Sequence, residues 1–355
     1  MNNPVPARLA ALRVAMQQHG VTAVLVPGTL IVGREPAGLW TDSSYFAQAE
    51  QQLAGSGVAL MKLRVPHTPE HLEWLQQQLH DGDVLAVAGD SVAVASRRQI
   101  EQRLAETGAT VRTDLDLPGE IWTDRPALPA SPVVEHALAW ACVPRAEKFA
   151  RLRKAMRKLG ASHHLVSSLD DIAWLTNLRG SDVECNPVFL AHLLVRADAG
   201  ATLFVGRAKL DDALVAALAA DGIGIADYAS ITSALRELGA DDRLLLDSGR
   251  VVSSIAAAIA PEVVRIEAPN PSTAFKAVKS AAELDHVRDT MRRDGAALVR
   301  GFRRLEQRLA AGMTLTELDV DTLLHEERSA QPGWVGESFA TIAGYQANGA
   351  LPHYR

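Results

Sequence analysis

The segment His163-His-Leu-Val-Ser-Ser-Leu-Asp-Asp-Ile-Ala-Trp-Leu175 joins a predicted strand to a predicted helix. Its first four residues, 163–166, form a short run that is followed by serine. A short run with this boundary favours a strand. A helix is predicted over 168–175, because Asp170 and Asp171 follow Ser168 and carboxylates favour the positive end of a helix dipole. A strand that leads directly into a helix is the repeating unit of an α/β domain.

The same alternation of short strands and helices extends on both sides of this segment. Before residue 107, hydrophobic spacing predicts helices at 7–19, 43–53, 69–79 and 94–106, and strands at 21–26, 29–32, 37–40, 58–61 and 84–88. After residue 144 it predicts further helices at 145–159 and 211–220, and strands at 191–195, 202–205 and 243–246. Short strands separated by amphipathic helices predict mixed or parallel sheets with helices on their faces.

Proline-rich breaks divide the chain into predicted domains. Residues 117–132 contain four prolines, through which neither a helix nor a central strand continues. Pro269-Asn-Pro271 closes the second α/β region, and a longer helical stretch follows at 274–309. Thr314-Leu-Thr-Glu317 has the pattern of a capping box that begins another helix. The predicted domains are two of α/β type and a third of different architecture: 1–130, 131–271 and 272–355.

The composition excludes several classes of partner. Of 355 residues, 36 are basic and 42 are acidic, so no face is obviously built to neutralise a phosphate backbone or anionic lipid. No apolar run is as long as a membrane span, and the N-terminus lacks the pattern of a signal peptide. The two cysteines, Cys142 and Cys185, have no paired spacing. We therefore expect a cytoplasmic protein that binds neither nucleic acid nor membrane.

Four segments, in this order, carry a resemblance to one metallopeptidase family: 38–46, 168–182 with 186–189, 276–283 with 293–295, and 338–355. The chain resembles the amino-terminal two thirds of long-form Xaa-Pro aminopeptidases, the aminopeptidase P branch of the creatinase-like enzymes. The resemblance implies two creatinase-N-terminal-like α/β domains with mixed sheets. These would be followed by the first part of an α+β pita-bread catalytic domain. The resemblance also implies a homodimer.

The resemblance further implies a metal-dependent reaction on peptides. In the family, two divalent ions, which we expect to be manganese, activate a water that attacks the bond before a proline at the second position. The family's ligands are two aspartates, one histidine and two glutamates, and all follow the position that matches Tyr354. We therefore expect no metal ligand in the 355-residue chain, and we expect this chain by itself to be inactive.

Three residues near the end of the chain match family residues that contact the substrate. By that match, His353 lines the substrate pocket and stabilises the reacting carbonyl, so it is the catalytic candidate. Phe339 matches the aromatic wall that packs against the proline ring. Pro352 lines the same pocket.

Two groups resemble parts of a metal site, but we interpret both as structural residues. Asp247 lies in an Asp-Ser-Gly sequence like that of the first metal-binding aspartate, but Ala258 stands where the second is expected. We therefore interpret Asp247 as a residue at the end of a strand. His163 and His164 point to opposite faces of their strand, so they cannot share one ion.

Two features of the sequence allow alternative interpretations. Val24-Leu-Val-Pro27 runs directly into Gly28-Thr-Leu-Ile-Val32, which could form a hairpin. Relatives place a few dozen residues there, so we favour an absent segment. For function, the alternative to an Xaa-Pro aminopeptidase is a non-catalytic module that uses a creatinase-like fold for protein binding or dimerisation. The five downstream ligands distinguish the two, and we favour the enzyme.

Overall fold

The computed structural model describes residues 3–198 and 200–354. The helices in these residues are α1 Val5–Gln18, α2 Phe46–Gln52, α3 Glu70–Gln78, α4 Val94–Leu104, α5 Leu117–Ile121, α6 Leu138–Ala141, α7 Arg145–Lys158, α8 Leu169–Thr176, α9 Asp212–Ala220, α10 Ile231–Arg236, α11 Ser253–Ala257, α12 Pro271–Ala277, α13 Ala281–Ala310 and α14 Glu317–Ser329. The strands are β1 Ala23–Val26, β2 Leu30–Gly33, β3 Ala37–Thr41, β4 Val58–Lys62, β5 Val84–Ala86, β6 Thr110–Arg112, β7 Val134–Glu135, β8 His163–Val166, β9 Leu178–Arg179, β10 His192–Arg196, β11 Ala201–Phe204, β12 Ile223–Ala226, β13 Arg243–Leu246 and β14 Val264–Glu267.

The first sheet has six strands in the order β4-β3-β2-β1-β5-β6. Pairing is antiparallel between β1 and β2 and between β2 and β3, and parallel in the other pairs. The second sheet has the order β12-β11-β10-β8-β13-β14 and also combines an antiparallel pair, β10 with β11, with parallel pairs. The predicted α/β class with mixed sheets is therefore confirmed.

Helices cover both faces of the first sheet. Because side chains alternate along a strand, Val24 and Val32 pack with Met16 of α1 on one face. Leu25 belongs to the cluster on the other face, with residues of α3 and α4. The predicted placement of helices on the sheet faces follows from this alternation.

The strands β1 and β2 form a hairpin directly, as one of the two sequence interpretations allows. Val24 pairs with Val32 and Val26 with Leu30, in an antiparallel register. Gly28 in the connecting turn has φ +104°, a conformation that glycine adopts without a steric penalty. No additional segment is needed to close these two strands.

The region after residue 270 differs from its prediction in two details. The helical stretch predicted at 274–309 is two helices, α12 and α13, because Ser280 and Glu283 form a capping box that begins α13. The box predicted at 314–317 is also wrong by two residues, because Thr316 caps α14 and Asp319 completes the box. Gly301 allows α13 and α14 to approach closely, since a Cβ there would lie 3.0 Å from Leu324.

The chain separates into two compact units. One contains Met1–Leu128, Gly160–Val166 and Ala229–Pro269. The other contains Pro129–Leu159, Ser167–Tyr228 and Asn270–Arg355. The domain boundaries at residues 130 and 271 stay predictions. None of the described helices is both long and apolar enough to cross a membrane.

Candidate functional site

Phe339, the predicted aromatic wall, lines a shallow, open depression of about 560 Å³. Its side chain is 69% exposed, so it is available for contact with a ligand. The depression brings together two distant parts of the chain, and its lining residues are Val183, Glu184, Cys185, Asn186, Ser338, Phe339 and Ala340. The sequence gives no sign that residues 183–185 belong to a site, because only the folded chain places them beside Phe339.

The other two predicted site residues, Pro352 and His353, are exposed and do not line this depression. The structure therefore does not bring all three candidates into one cavity. Their proposed contacts with a substrate stay predictions.

The segment that carries Pro352 and His353 is held by Glu317, the first residue of α14. Its carboxylate accepts hydrogen bonds from the Tyr345 backbone N–H at 2.5 Å and from the Asn348 amide at 3.1 Å. The Tyr354 hydroxyl also bonds to it. These bonds, the Tyr345 N–H foremost, hold the pKa of Glu317 below its usual range, while the negative charge of Glu317 raises the pKa of Tyr354. Glu317 thus orders a segment in which the described residues form no strand.

The other segment that lines the depression, residues 183–186, is a tight turn held by Asp182. The Asp182 side chain is fully buried, forms an ion pair with the buried Lys209, and accepts a bond from the Leu190 N–H at 2.7 Å. Within the turn, the Asn186 N–H donates to the Val183 carbonyl at 3.1 Å. Removing either member of a buried ion pair is costly, so this pair fixes the turn in place.

Asp171 connects helix α8 to the start of the region after residue 270. It is 1% exposed, and its Oδ2 accepts bonds from the hydroxyls of Ser168 at 2.6 Å and Thr273 at 2.8 Å. The Asn270 amide also donates to it, and the Lys276 ammonium lies 3.0 Å from Oδ1. Burial acts to raise the pKa of Asp171, but these bonds and the ammonium outweigh it and lower the pKa. The sequence interpretation of a simple helix-start residue is therefore incomplete.

Three cationic side chains meet the carbonyls at the C-terminus of α8. Lys148 donates to the Trp174 carbonyl at 2.8 Å, Arg179 to the Ala173 carbonyl at 3.0 Å, and Arg145 to the Thr176 carbonyl at 3.2 Å. Burial first, and then the charge of Arg179, lowers the pKa of Lys148 to about 8. Cations at this end of a helix stabilise its dipole, so the cluster has a structural explanation.

The groups that resembled metal ligands have ordinary structural surroundings. Asp247 follows the last residue of β13 and accepts a bond from the Gly249 N–H at 3.0 Å, as expected for a strand-end residue. His164 is fully buried, and its Nδ1 lies 3.0 Å from the Leu245 carbonyl oxygen. Within residues 3–198 and 200–354, no group of three or more histidine, cysteine or acidic side chains could hold a metal ion. The described residues therefore do not fit a dinuclear metal centre.

Two family models match the chain. The Creatinase/Prolidase N-terminal domain matches residues 124–283, and Metallopeptidase family M24 matches residues 289–355. The order of the two matches is the order predicted from the sequence.

Individual relatives extend the similarity over nearly the whole chain. A probable Xaa-Pro aminopeptidase P of Arthroderma gypseum is 35% identical, over 98% of this chain and 57% of the relative. Aminopeptidase P2 of Arabidopsis thaliana is 33% identical, over 92% of this chain and 50% of the relative. The chain thus spans little more than half the length of these curated relatives.

A solved structure has the same backbone arrangement. The X-prolyl aminopeptidase of Caenorhabditis elegans, described as a cytosolic enzyme with a di-nuclear active site, matches with a TM-score of 0.91 at 26% identity. The match covers 99% of this chain and 64% of that one. Together with the family models, it confirms the predicted creatinase-like and pita-bread fold.

Proposed function

We propose that the chain is part of an Xaa-Pro aminopeptidase of metallopeptidase family M24 and acts in the release of the N-terminal residue from peptides with proline in second position. The observation that carries the proposal is the backbone match to an X-prolyl aminopeptidase over 99% of this chain. Fold alone does not establish function, but here identities of 33–35% to named aminopeptidases accompany it.

Within this reaction, we assign peptide binding to the end of the chain. The exposed Phe339 ring would pack against the substrate proline, and Pro352, which lies outside the depression beside Phe339, would contact the same peptide. His353 would donate a hydrogen bond to the oxygen of the reacting carbonyl, where negative charge develops. The hydrogen bonds to Glu317 support the assignment for Pro352 and His353, because they order the segment that carries these two residues.

The proposed cofactor is a pair of divalent metal ions, with manganese as the expected ion. Family M24 and the di-nuclear relative support divalent metals. Such ions supply an activated water and stabilise the oxyanion when they are bound. Their donors are not among the described residues, so the roles proposed here for this chain are in binding and positioning.

Three further properties belong to the same proposal. We propose a cytoplasmic location, which the description of the nematode relative as cytosolic supports. We also propose a homodimer and the domain division 1–130, 131–271 and 272–355. No nucleic-acid or membrane partner is proposed, because the net charge of −6 offers no attraction to polyanions.

Hydrolysis of Ala-Pro-Ala tests the proposed activity, with Ala-Ala-Ala as the control peptide. The protein expressed from its complete coding sequence is compared with residues 1–355 alone, each with Mn²⁺ and with EDTA. We expect the former to release alanine from Ala-Pro-Ala only when metal is present, and residues 1–355 alone to release none. Cleavage that is equal for the two peptides, or that persists in EDTA, would contradict the proposal.

The second candidate function is a non-catalytic module for protein binding or dimerisation. It is distinguished from the enzyme by the five family ligands, which would all follow the position that matches Tyr354. It predicts that the complete coding sequence lacks the two aspartates, the histidine and the two glutamates. It also predicts no hydrolysis of either peptide, while self-association or partner binding is retained.

A further inference from the structure

We propose that Glu184 forms a subsite for a cationic side chain next to the proline of the peptide substrate. The inference rests on the proposed function, because it takes Phe339 as the residue that packs against the proline. Glu184 and Phe339 line the same depression, although 155 positions of sequence separate them.

The charge of the depression determines the kind of group that it attracts. Among its seven lining residues, Glu184 is the one acidic side chain, and no lysine, arginine or histidine is present. Glu184 is exposed and forms no ion pair within the described part of the chain. A single uncompensated carboxylate beside an aromatic surface favours a lysine or arginine, whose apolar stem packs while its charged end pairs.

The dimensions of the depression suit a dipeptide unit rather than a proline ring alone. Its volume of about 560 Å³ lies within the usual range of small-ligand pockets. Consecutive Cα atoms are about 3.8 Å apart, so a residue beside a proline at Phe339 would lie in the same depression. Glu184 also lines this depression.

The turn that carries Glu184 is ordered before any ligand binds. The buried Asp182–Lys209 pair and the Leu190 N–H fix its start, and the bond between Asn186 and Val183 closes it. Cys185 has φ +56°, a left-handed conformation that a non-glycine residue adopts only when its surroundings impose it. Because the turn is held on both sides, little backbone entropy is lost when Glu184 pairs with a ligand.

The proposal is tested by kinetics on the metal-loaded enzyme that contains this chain. The peptides are Ala-Pro-Ala, Arg-Pro-Ala, Ala-Pro-Arg, Glu-Pro-Ala and Ala-Pro-Glu. For Glu184→Gln, we expect kcat/KM for at least one arginine peptide to fall about two- to fivefold relative to Ala-Pro-Ala, the range of an exposed ion pair. The loss should be in KM, because the ion pair binds ground state and transition state alike.

Two controls separate a subsite from a general effect of charge. Glu147→Gln removes one exposed carboxylate of the same compact unit that does not line the depression, and it should leave all peptide ratios unchanged. Glu184→Arg should invert the preference in favour of the peptide that carries glutamate at the position where arginine was preferred, which is Glu-Pro-Ala if that position precedes proline and Ala-Pro-Glu if it follows. The preference of the unmodified enzyme for arginine should also weaken in 1 M NaCl, where the Debye length is about 3 Å.

The outcomes distinguish this inference from the proposed function. If no Xaa-Pro peptide is cleaved, the proposed function is wrong, and the inference falls with it. If Ala-Pro-Ala is cleaved but Glu184→Gln leaves both arginine-to-alanine ratios within experimental error, the subsite is wrong and the proposed function stands. If Glu147→Gln changes the arginine-to-alanine ratios of kcat/KM as much as Glu184→Gln does, the subsite is also wrong.

Discussion

At the scale of single residues, Asp171 has more structural consequence than its position in the sequence indicates. Its neighbour Asp170 has the same chemistry and also pairs with Lys276, but the Asp170 side chain is 57% exposed. Two of the groups that bond to Asp171, those of Asn270 and Thr273, lie 99 and 102 positions further along the chain. The position at a helix start identifies both aspartates in the sequence. It does not show which of them contributes more to stability, because their burial depends on these distant partners.

We predict that Asp171→Asn lowers the free energy of unfolding by about 2–3 kcal/mol, because it removes a buried charge that pairs with Lys276 and accepts several hydrogen bonds. Asp170→Asn is the matched control and should cost less than about 1 kcal/mol. Chemical denaturation at pH 7 measures both. Since the folded-state pKa of Asp171 is lowered, its stabilisation is present above its unfolded pKa of about 3.9 and is lost as pH falls through the folded value. Equal costs for the two variants would contradict this ranking.

At the scale of elements, the C-terminus of helix α8 is an unusual place for Lys148. The side chain is 3% exposed, and its acceptors are the Trp174 carbonyl and the Asn177 side-chain oxygen at 2.5 Å. The ring of Trp174 lies 4.4 Å from the ammonium. The lowered pKa of Lys148 means that these neutral partners do not fully replace the water lost on burial.

The sign of the resulting pH dependence is opposite to that of a salt-bridged lysine. Between pH 8 and 10.5 the unfolded chain keeps the Lys148 proton and the folded chain releases it, so stability rises with pH. We predict that the stability difference between the protein and Lys148→Met changes by up to about 3 kcal/mol across this window. Lys154→Met, an exposed change on the same helix α7, should show no such change. Denaturation midpoints at several pH values measure the stability of each protein. If stability changes with pH in the same way for Lys148→Met and Lys154→Met, the pH dependence does not come from Lys148.

The elements also show what sequence patterns reveal and what they do not. Strands such as β1 and β13 were predictable because their apolar runs reflect burial on the sheet. Strand β14, Val264–Glu267, was not predicted, since it lies at the edge of its sheet and most of its residues are exposed. The break between α12 and α13 was not predicted, because the helical pattern continues on both sides of Ser280 and hides the cap that this residue forms. The depression beside Phe339 required the fold itself, because its two walls come from distant segments.

At the scale of the whole molecule, the proposed homodimer requires a surface that is apolar and exposed. Helix α13 offers one: its large exposed apolar side chains recur at helical spacing and lie on one side, and they include Val287, Met291, Val299, Phe302 and Leu309. Monomeric proteins rarely expose extended apolar patches, because burying them is favourable by about 25 cal/mol per Å². A second copy of the chain is the occupant that the proposed homodimer supplies.

We therefore predict that the protein sediments as a dimer at micromolar concentration and that Met291→Glu combined with Phe302→Glu raises the dissociation constant at least tenfold. Two carboxylates placed in an apolar contact would be desolvated without partners, and a tenfold change needs only about 1.4 kcal/mol. Gln307→Glu adds one carboxylate on the other side of α13 and should leave the dimer intact. Analytical ultracentrifugation decides among the outcomes. A monomeric protein would exclude the homodimer, whereas a dimer that resists the double substitution would mean that the two copies meet through a surface other than α13.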